Sequence, residues 1–409
     1  MDIKEIATKI HNMGGNLYLV GGAVRDKAMG IKPKDFDYCI TGISVETFLN
    51  EFPEAKSKGK SFEVFYIEDS EFAFARKEKK ISDGHKGFEI ETDENISIED
   101  DLLRRDVTIN SIAIDVLTDA IIDPYGGIKD INEKVLRATS NAFLEDPLRT
   151  YRVARFASEL DFRLDNETLK LMKRTKEDLY NLSSERIVNE LTRALKAKKP
   201  SNFFRVLKDA DCLDIHFIEI YNLIGKTQPV VYHPEGDAFE HTMKVVDEVS
   251  KHTDKDYIIF AGLVHDLGKG TTPMEELPHH IEHDKKGIEL VRNMAVRLGL
   301  TKKYLEAGIT ATKEHMKAGL FYNMKATTKV DFLVRNYKSV LGLEGLEIIA
   351  NADKCCSDKK IHFSEIGNKM IKEVNAKELE KELDYEKLVI KLRDNRIKWL
   401  KENLHEVNE

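Results

Sequence analysis

Apolar and polar positions divide the chain into an N-terminal part with short apolar runs and a longer part with helical periodicity. In residues 1–140 the apolar runs are bounded by glycine, proline or aspartate, which is typical of strands. Helical patterns lie between these runs, so we expect this part to mix strands and helices. The predicted strands are Leu17–Val20, Asp37–Ile40, Phe62–Ile67, Glu71–Arg76, Ser111–Val116 and Ala120–Asp123.

Beyond about residue 140 the apolar residues recur at the spacing of a helix. One stripe places Val153, Phe156, Ala157 and Leu160 at i, i+3, i+4 and i+7, and a similar stripe covers 187–195. A third helical block is predicted to begin near residue 238. The charged segment 366–409 is predicted to form a terminal helical appendage.

Composition limits the class of protein. The 409 residues are enough for roughly two to four domains. No apolar run is long enough to span a membrane and no signal-peptide pattern begins the chain, so we expect a cytoplasmic protein without a membrane partner. The four cysteines lack the spacing of a metal or disulfide framework, which fits a reducing compartment. The net charge of −8 argues against non-specific nucleic-acid binding, so an RNA contact must use local basic patches.

The most informative segment lies between residues 19 and 40. An apolar run leads into Gly21-Gly22, where the backbone can approach a triphosphate closely, and Arg25 can neutralise its charge. If the following segment is a strand, Asp35 and Asp37 point to the same face, and two such carboxylates repel unless a cation such as Mg²⁺ lies between them. Either motif alone is more often a turn or a helix cap. Together they indicate nucleotidyl transfer.

Other polar residues of the first part are candidates for the same site. Glu71 heads a predicted strand and is the candidate third carboxylate, although a solvated strand-edge glutamate would look alike. The run Arg104-Arg105-Asp106, followed by Asn110, suits a ribose and phosphate contact or, alternatively, a surface ion-pair cluster.

A predicted helix begins after Glu145, with Asp146 as its N-cap and Pro147 at its first position. Arg149 would then lie in the first turn, where the helix dipole disfavours a cation unless a bound anion or base offsets the cost. An aspartate accepts from an amino group and an arginine donates to a ring nitrogen or carbonyl oxygen. The pair could therefore read the Watson–Crick edge of C or A without a template strand.

These motifs resemble the class II tRNA nucleotidyltransferase and poly(A) polymerase family over about the first half of the chain. The segments that carry the resemblance are Gly-Gly-Ala-Val-Arg-Asp, Asp-Phe-Asp, Arg-Arg-Asp-Xaa-Thr-Xaa-Asn and Glu-Asp-Xaa-Xaa-Arg. The resemblance implies that Asp35 and Asp37 bind Mg²⁺ and that the helical block after residue 150 binds the tRNA acceptor stem. It implies a nucleotide site built from Gly22, Arg25, Arg105, Asp106, Asn110, Asp146, Arg149, Arg152 and Arg155.

A second group of chemistry-bearing residues is rich in histidine. His233 and six further histidines fall within residues 233–283. Singly, each is more often a surface or core residue, but their clustering favours a metal site. Imidazole with carboxylate suits Ni²⁺, Mn²⁺ or Co²⁺ better than Mg²⁺ alone. Such an ion would activate water for phosphate-ester hydrolysis.

The order of His241, His265-Asp266 and Asp353 resembles the HD phosphohydrolase superfamily. The segments 233–243 and 278–283 resemble more specifically the HD tail of multifunctional bacterial CCA-adding enzymes. This resemblance implies 2′,3′-cyclic phosphodiesterase, 2′-nucleotidase and phosphatase activities. It adds His280 and His283 to the expected metal ligands and leaves the part played by His279 open.

The sequence as a whole predicts an α+β protein. We expect a polymerase-β-like nucleotidyltransferase head with a mixed sheet over 1–140, an all-helical neck and body over 141–225, an all-helical HD domain over 226–360 and a helical appendage over 361–409. The expected partners are CTP, ATP and the tRNA acceptor end, in a monomer or homodimer. Mg²⁺ is expected in the head, and Ni²⁺, Mn²⁺, Co²⁺ or Mg²⁺ in the HD domain.

Three alternatives stay open at this point. A poly(A) polymerase would share the head but usually carries a basic C-terminal extension, which the acidic charge and the HD pattern oppose. An HD phosphohydrolase with a degenerate head is opposed by the intact carboxylate pair and Arg149. A non-catalytic module would bind tRNA without turning over nucleotides.

Overall fold

The computed structural model describes residues 2–58, 64–68, 70–80, 88–91, 93–231, 233–354, 360–376 and 384–404. These form two compact units, one of residues 1–183 with 209–212 and the other of residues 184–208 with 213–409. Phe62 and Glu63, which begin one predicted strand, lie outside the described residues. The predicted division into four parts remains a prediction.

The first unit carries the strands. They are β1 Asn16–Val20, β2 Asp37–Thr41, β3 Lys56–Lys58, β4 Val64–Ile67, β5 Ser70–Phe74, β6 Lys77–Lys80, β7 Phe88–Glu91, β8 Ala113–Asp115, β9 Ile121–Ile122, β10 Val135–Leu136 and β11 Arg163–Leu164. The main sheet has the order β3-β4-β5-β2-β1-β8-β9, in which β2 and β5 run parallel and the other neighbours antiparallel. The mixed sheet expected from the sequence is thus confirmed.

The helices of the first unit precede β1, lie between the strands and follow them in the chain. They are α1 Ile3–Asn12, α2 Gly22–Ala28, α3 Val45–Glu51, α4 Ile98–Leu103, α5 Gly127–Glu133, α6 Leu148–Leu160 and α7 Asn166–Arg174. The ring of Phe48 on α3 contacts Phe65, Phe72 and Phe74 from β4 and β5, with centroids 5.6 to 6.2 Å apart. This aromatic packing fixes the strand that carries Glu71 beside β2.

The second unit is helical in its described part. Its helices are α8 Ser184–Leu195, α9 Ser201–Asp209 (the final residue belongs to the first unit), α10 Leu213–His216, α11 Ile218–Tyr221, α12 Ala238–His252, α13 Asp256–Val264, α14 His283–Leu298, α15 Lys302–Gly319, α16 Ala326–Tyr337, α17 Gly342–Asp353, α18 Ser364–Glu373 and α19 Tyr385–Asn403. The stripe predicted over 187–195 forms the buried face of α8. Among the described residues, no helix combines the length and the apolar character needed to cross a bilayer.

Candidate active sites

The turn after β1 brings three predicted site elements together. Val20 pairs with Asp37 in the antiparallel register of β1 and β2, so the chain passes Asp37 as it enters Gly21. Gly21 has φ +71°, and a Cβ placed there would lie 3.2 Å from Nη1 of Arg105 and 3.6 Å from Oδ2 of Asp37. The positive φ favours glycine at this position, and a Cβ there would also require the Arg105 guanidinium to shift by a few tenths of an ångström.

The candidate carboxylates lie at the same edge of the sheet. Glu71 is opposite Asp37 in the parallel register of β2 and β5, and the Tyr66 hydroxyl donates to Oε2 of Glu71 over 2.9 Å. Burial raises the pKa of Asp37, and the charges of Glu71 and Asp35 raise it further against the opposing charge of Arg105. Carboxylates close enough to raise the pKa of Asp37 form, together with it, a suitable donor set for a hard cation such as Mg²⁺.

The structure also shows how these carboxylates differ from a closed metal cage. Asp35 lies in the exposed loop before β2 rather than on the strand itself. Among the described residues, the sets of three or more donors whose ligand atoms all lie within 4.8 Å of one another belong to the second unit. In the described part of the first unit the carboxylates therefore do not form such a compact donor set.

Arg105 is held in place by a buried carboxylate. Its Nη2 donates to Oδ2 of Asp101 over 2.9 Å, while Arg104 binds the other oxygen of the same carboxylate. Burial raises the pKa of Asp101, but the charges of the two arginines outweigh burial and lower it. The two arginines thus pair with the buried Asp101 and not with Asp106 in a surface cluster, and this pairing positions Arg105 beside the glycine turn.

A continuous hydrogen-bonded chain links the glycine turn to helix α6. Arg25 donates to Oδ1 of Asn110 over 3.0 Å, and Asn110 donates to Oδ1 of Asp106 over 3.2 Å. The other oxygen of Asp106 accepts from Nε and Nη2 of Arg152 over 2.7 and 2.6 Å. Burial raises the pKa of Asp106, yet the charge of Arg152 and these hydrogen bonds lower it to about 2. Asp106 therefore anchors Arg152 directly and is linked to Arg25 through Asn110.

Three guanidinium groups converge on one aromatic ring. The ring centroid of Phe156 lies 5.7, 5.5 and 4.1 Å from Cζ of Arg25, Arg152 and Arg155. Arg155 is fully buried and donates to Glu159. The structure thus brings together the predicted arginines of α2 and α6. Arg155 is the buried one of the three and lies nearest to the Phe156 ring.

The two residues expected to read a base lie at the start of α6. The helix begins at Leu148 with Pro147 in the N-cap position, one residue later than predicted. Oδ1 of Asp146 nevertheless accepts from the Leu148 backbone N–H over 3.0 Å. Nη1 of Arg149 donates to the carbonyl of Ala142 over 2.5 Å. This contact directs the guanidinium back over the helix start and offsets the unfavourable dipole.

The second candidate site centres on Asp266. Helix α13 is buried along nearly its whole length and ends at Val264, with His265 as its C-cap residue. The His-Asp pair therefore follows a buried helix, as the apolar run predicted. Oδ2 of Asp266 lies 3.2 Å from Nε2 of His265 and 3.6 Å from Nε2 of His241, and Oδ1 lies 3.3 Å from Nε2 of His283. Each oxygen of Asp266 therefore faces a different group of histidines.

Two sets of donors share this aspartate. Ligand atoms within 4.8 Å of one another are supplied by His241, His265, Asp266 and Asp353 in one set, and by Asp266, His283 and His315 in the other. Predicted ligands from α12, α13, α14 and α17 thus meet in the fold. His315 on α15 was not predicted, because a lone histidine in a helical pattern carries no spacing signal.

Four histidines around Asp266 share one orientation, in which Nδ1 contacts an outer acceptor. They are His241, His265, His283 and His315. Nδ1 of His265 and of His283 contacts the carbonyl of Gly262 and of His280 over 2.7 and 2.8 Å, and Nδ1 of His315 lies 3.0 Å from the Thr312 carbonyl. Nδ1 of His241 lies 2.5 Å from Oε1 of Glu235. A ring N–H committed to an outer acceptor leaves Nε2 directed inward as a metal ligand.

The structure does not bring His280 to this cluster. Its Nδ1 contacts the Thr272 hydroxyl over 2.8 Å and its Nε2 the Thr227 carbonyl over 3.0 Å. Both ring nitrogens of His280 are therefore engaged outside the cluster, whereas His283 begins α14 and its Nε2 lies close to Asp266.

A glycine allows α14 to approach the His-Asp pair. A Cβ on Gly268 would lie only 1.9 Å from the carbonyl oxygen of His283. No larger residue fits without moving one of the two segments. The Gly that follows His265-Asp266-Leu267 therefore brings the ligand from α14 to Asp266.

The donor atoms suit a transition metal. His265 Nε2 and both carboxylate oxygens of Asp266 are buried without a hydrogen bond of acceptable geometry, although Lys269 Nζ lies 2.6 Å from Oδ2. Burial lowers the pKa of His265, but the charges of Asp266 and Asp353 outweigh it and raise the pKa to about 9. Unsatisfied buried imidazole and carboxylate atoms at one point fit a bound divalent ion such as Ni²⁺, Mn²⁺ or Co²⁺.

Three family descriptions match successive parts of this chain. They are "Poly A polymerase head domain" over 17–137, "Probable RNA and SrmB-binding site of polymerase A" over 161–223 and "HD domain" over 238–358. The first covers the sheet with its carboxylates, and the third covers the histidine cluster.

Similar proteins extend over most of the chain. A relative from Shewanella denitrificans named Multifunctional CCA protein is 41% identical over 321 residues, which is 77% of each chain. One of the same name from Hahella chejuensis is 40% identical over 323 residues, 77% of this chain and 76% of the relative.

Solved structures show the same fold at low identity. A complex of a CCA-adding enzyme with CTP has a TM-score of 0.63 at 20% identity and covers 97% of this chain and 90% of that chain. A tRNA nucleotidyltransferase complexed with a primer tRNA and an incoming ATP analog has a TM-score of 0.59 at 21% identity, covering 90% and 98%.

Proposed function

We infer the function from one premise: this chain belongs to the family of multifunctional CCA proteins. It is an enzyme that adds and repairs the 3′-terminal CCA of tRNA from CTP and ATP without a nucleic-acid template. Its HD domain supplies a second, metal-dependent phosphohydrolase activity on 2′,3′-cyclic phosphates, 2′-nucleotides and phosphomonoesters. This pair of activities is favoured over that of a poly(A) polymerase and over that of a hydrolase with a degenerate head.

Nucleotidyl transfer is proposed to take place at the edge formed by Asp35, Asp37 and Glu71. Mg²⁺ held there would stabilise the attacking 3′-oxygen and the pyrophosphate leaving group. The Gly22 backbone and the Arg25 and Arg105 side chains would bind the triphosphate and keep its α-phosphorus in line with the tRNA end. The observation that carries this assignment is that Asp37, paired with Val20, and the guanidinium of Arg105 both lie beside the Gly21 turn.

Base selection is proposed to lie with Asp146 and Arg149. Asp146 would accept from the amino group of the incoming base, and Arg149 would donate to its ring nitrogen or carbonyl oxygen. Arg152, anchored by Asp106, and Arg155, stacked on Phe156, would hold α6 in the position from which this edge is read. Both C and A carry an amino group there, which is why one residue pair could serve both nucleotides.

Hydrolysis is proposed at the Asp266 cluster. His241, His265, Asp266 and Asp353 would hold the metal ion, with His283 extending the donor set on the other carboxylate oxygen. The bound ion would supply an activated water for attack on a phosphate ester. Nickel, manganese, cobalt and magnesium are all open as its identity.

The deciding experiment incubates purified protein with tRNA that ends at the discriminator base. CTP alone should add two residues, CTP with ATP should complete CCA, and ATP alone should add nothing. Long A tails from ATP alone would instead assign a poly(A) polymerase. Binding of the tRNA without any nucleotide incorporation would refute the transferase.

A further inference from the structure

Gln228 has a buried amide beside the metal ligands. Its backbone N–H donates to the Gly236 carbonyl over 3.0 Å in the segment before α12, and its side chain is 3% exposed. Lys269 donates to Oε1 of Gln228 over 2.5 Å. A lysine ammonium can only donate, so the amide oxygen faces Lys269 and the NH₂ group lies beside that contact without taking part in it.

That NH₂ group has no partner. Nε2 of Gln228 is buried and makes no hydrogen bond in the described part of the molecule. Buried donors are almost always satisfied in native proteins, so an exception calls for a missing acceptor. His265 Nε2 and both Asp266 oxygens are unsatisfied in the same way, and Lys269 joins them to Gln228 through its contacts with both Asp266 and Gln228.

The chemistry of the unsatisfied groups distinguishes two ligands. The atoms of His265 and Asp266 are electron-pair donors, which suit a cation. Nε2 of Gln228 is a hydrogen-bond donor and therefore needs an electron-rich oxygen instead. Lys269 supplies a positive charge at the same point, and its three N–H donors exceed the two acceptors that it contacts. A donor pair of amide and ammonium beside a metal site suits a phosphate oxygen.

We propose that Gln228 binds the substrate phosphate of the HD site, with its Nε2 and the Lys269 ammonium donating to non-bridging phosphate oxygens. The assignment rests on the proposed hydrolase function. Gln228 would also hold the Lys269 side chain at a fixed distance from the ion, so that the phosphate is oriented for attack by water. The residue is thus assigned to substrate binding rather than to metal binding.

The test replaces Gln228 by Glu and by Met. Gln228→Glu keeps an oxygen that accepts from Lys269 but substitutes an anionic oxygen for the donor, whereas Gln228→Met keeps the length and removes both polar atoms. Asn323→Asp makes the same amide-to-carboxylate change at an exposed position of this unit and serves as the control. Hydrolysis kinetics are measured with 2′,3′-cyclic AMP as substrate and inorganic phosphate as inhibitor. The metal content of each variant is measured by mass spectrometry.

We expect Gln228→Glu to raise KM and the inhibition constant of inorganic phosphate by about tenfold or more. Metal content and CCA addition should stay at wild-type levels. Wild-type KM and phosphate inhibition in Gln228→Glu would overturn the assignment, and so would loss of metal from Gln228→Met, which would make the residue a support of the ion. If the wild-type protein itself hydrolyses no cyclic phosphate, the proposed hydrolase fails instead.

Discussion

Replacing Asp106 by Asn tests whether the buried ion pair with Arg152 stabilises the first unit. Asparagine keeps the volume and one acceptor oxygen, but it presents an NH₂ group where Arg152 now donates to a carboxylate. The native pKa of about 2, against 3.8 for a free aspartate, corresponds to roughly 2 kcal/mol at about 1.36 kcal/mol per unit. Because the Arg152 side chain is 37% exposed, the measured loss should fall at or below that value.

The sign of the pH dependence follows from the lowered pKa. The carboxylate contributes its stability fully above pH 3.8 and loses it as the pH falls through about 2. Wild type and Asp106→Asn should therefore differ at pH 7 and converge as the pH falls from 3.8 towards 2. At pH 7 the unfolding temperature of the first unit should fall by roughly 4 to 8 °C.

The assay can separate the two units. Trp399, the single tryptophan of the chain, lies on α19, so its fluorescence reports the second unit and should not change. Far-UV circular dichroism and hydrogen exchange in α6 report the first unit. Asp119→Asn removes the same charge at an exposed ion pair with Lys4 and should be neutral. If the first unit of Asp106→Asn unfolds at the same temperature as that of Asp119→Asn, the buried pair gives no net stabilisation.

The remaining predictions concern the two activities. Asp35→Ala should lower CTP incorporation into tRNA lacking CCA by at least about 100-fold, since the cation loses a ligand; near-normal incorporation would remove Asp35 from the site. Asp266→Ala should abolish cyclic phosphodiesterase activity but leave CCA addition intact, and joint loss would argue against separate sites. His315→Ala should lower the bound metal measured by mass spectrometry, whereas His280→Ala should retain it; the reverse order would contradict the orientation of these rings.

Much of the fold follows from local pattern. The stripe over 187–195 becomes the buried face of α8, and the strand predicted from Asp37 pairs with β1 in the first unit. The strands β3 and β6 were not predicted, because the lysine-rich segments Lys56–Lys58 and Lys77–Lys80 lack apolar alternation. In the structure β3 pairs with β4, and β6 pairs with β7, both antiparallel.

The candidate sites were less predictable, for a physical reason. Asp35 to Asp37 and His265-Asp266 are contiguous, so their chemistry is visible in the sequence. His315 reaches Asp266 only because α15 packs beside α14, a contact between distant residues. His280 and His283 have nearly the same sequence context, and only the start of α14 decides which ring turns inward.

If the histidines around Asp266 hold a metal ion as proposed, their backbone contacts couple ion loading to folding. Carbonyls of helices α13 and α15 orient His265 and His315, so the ligand sphere exists only while those helices are formed. An ion that binds the native state alone stabilises it by mass action, by about 2.7 kcal/mol at 100 times its dissociation constant. Chelation would then shorten the lifetime of the second unit under proteolysis and leave the first unit, whose described carboxylates form no such compact donor set, largely unaffected.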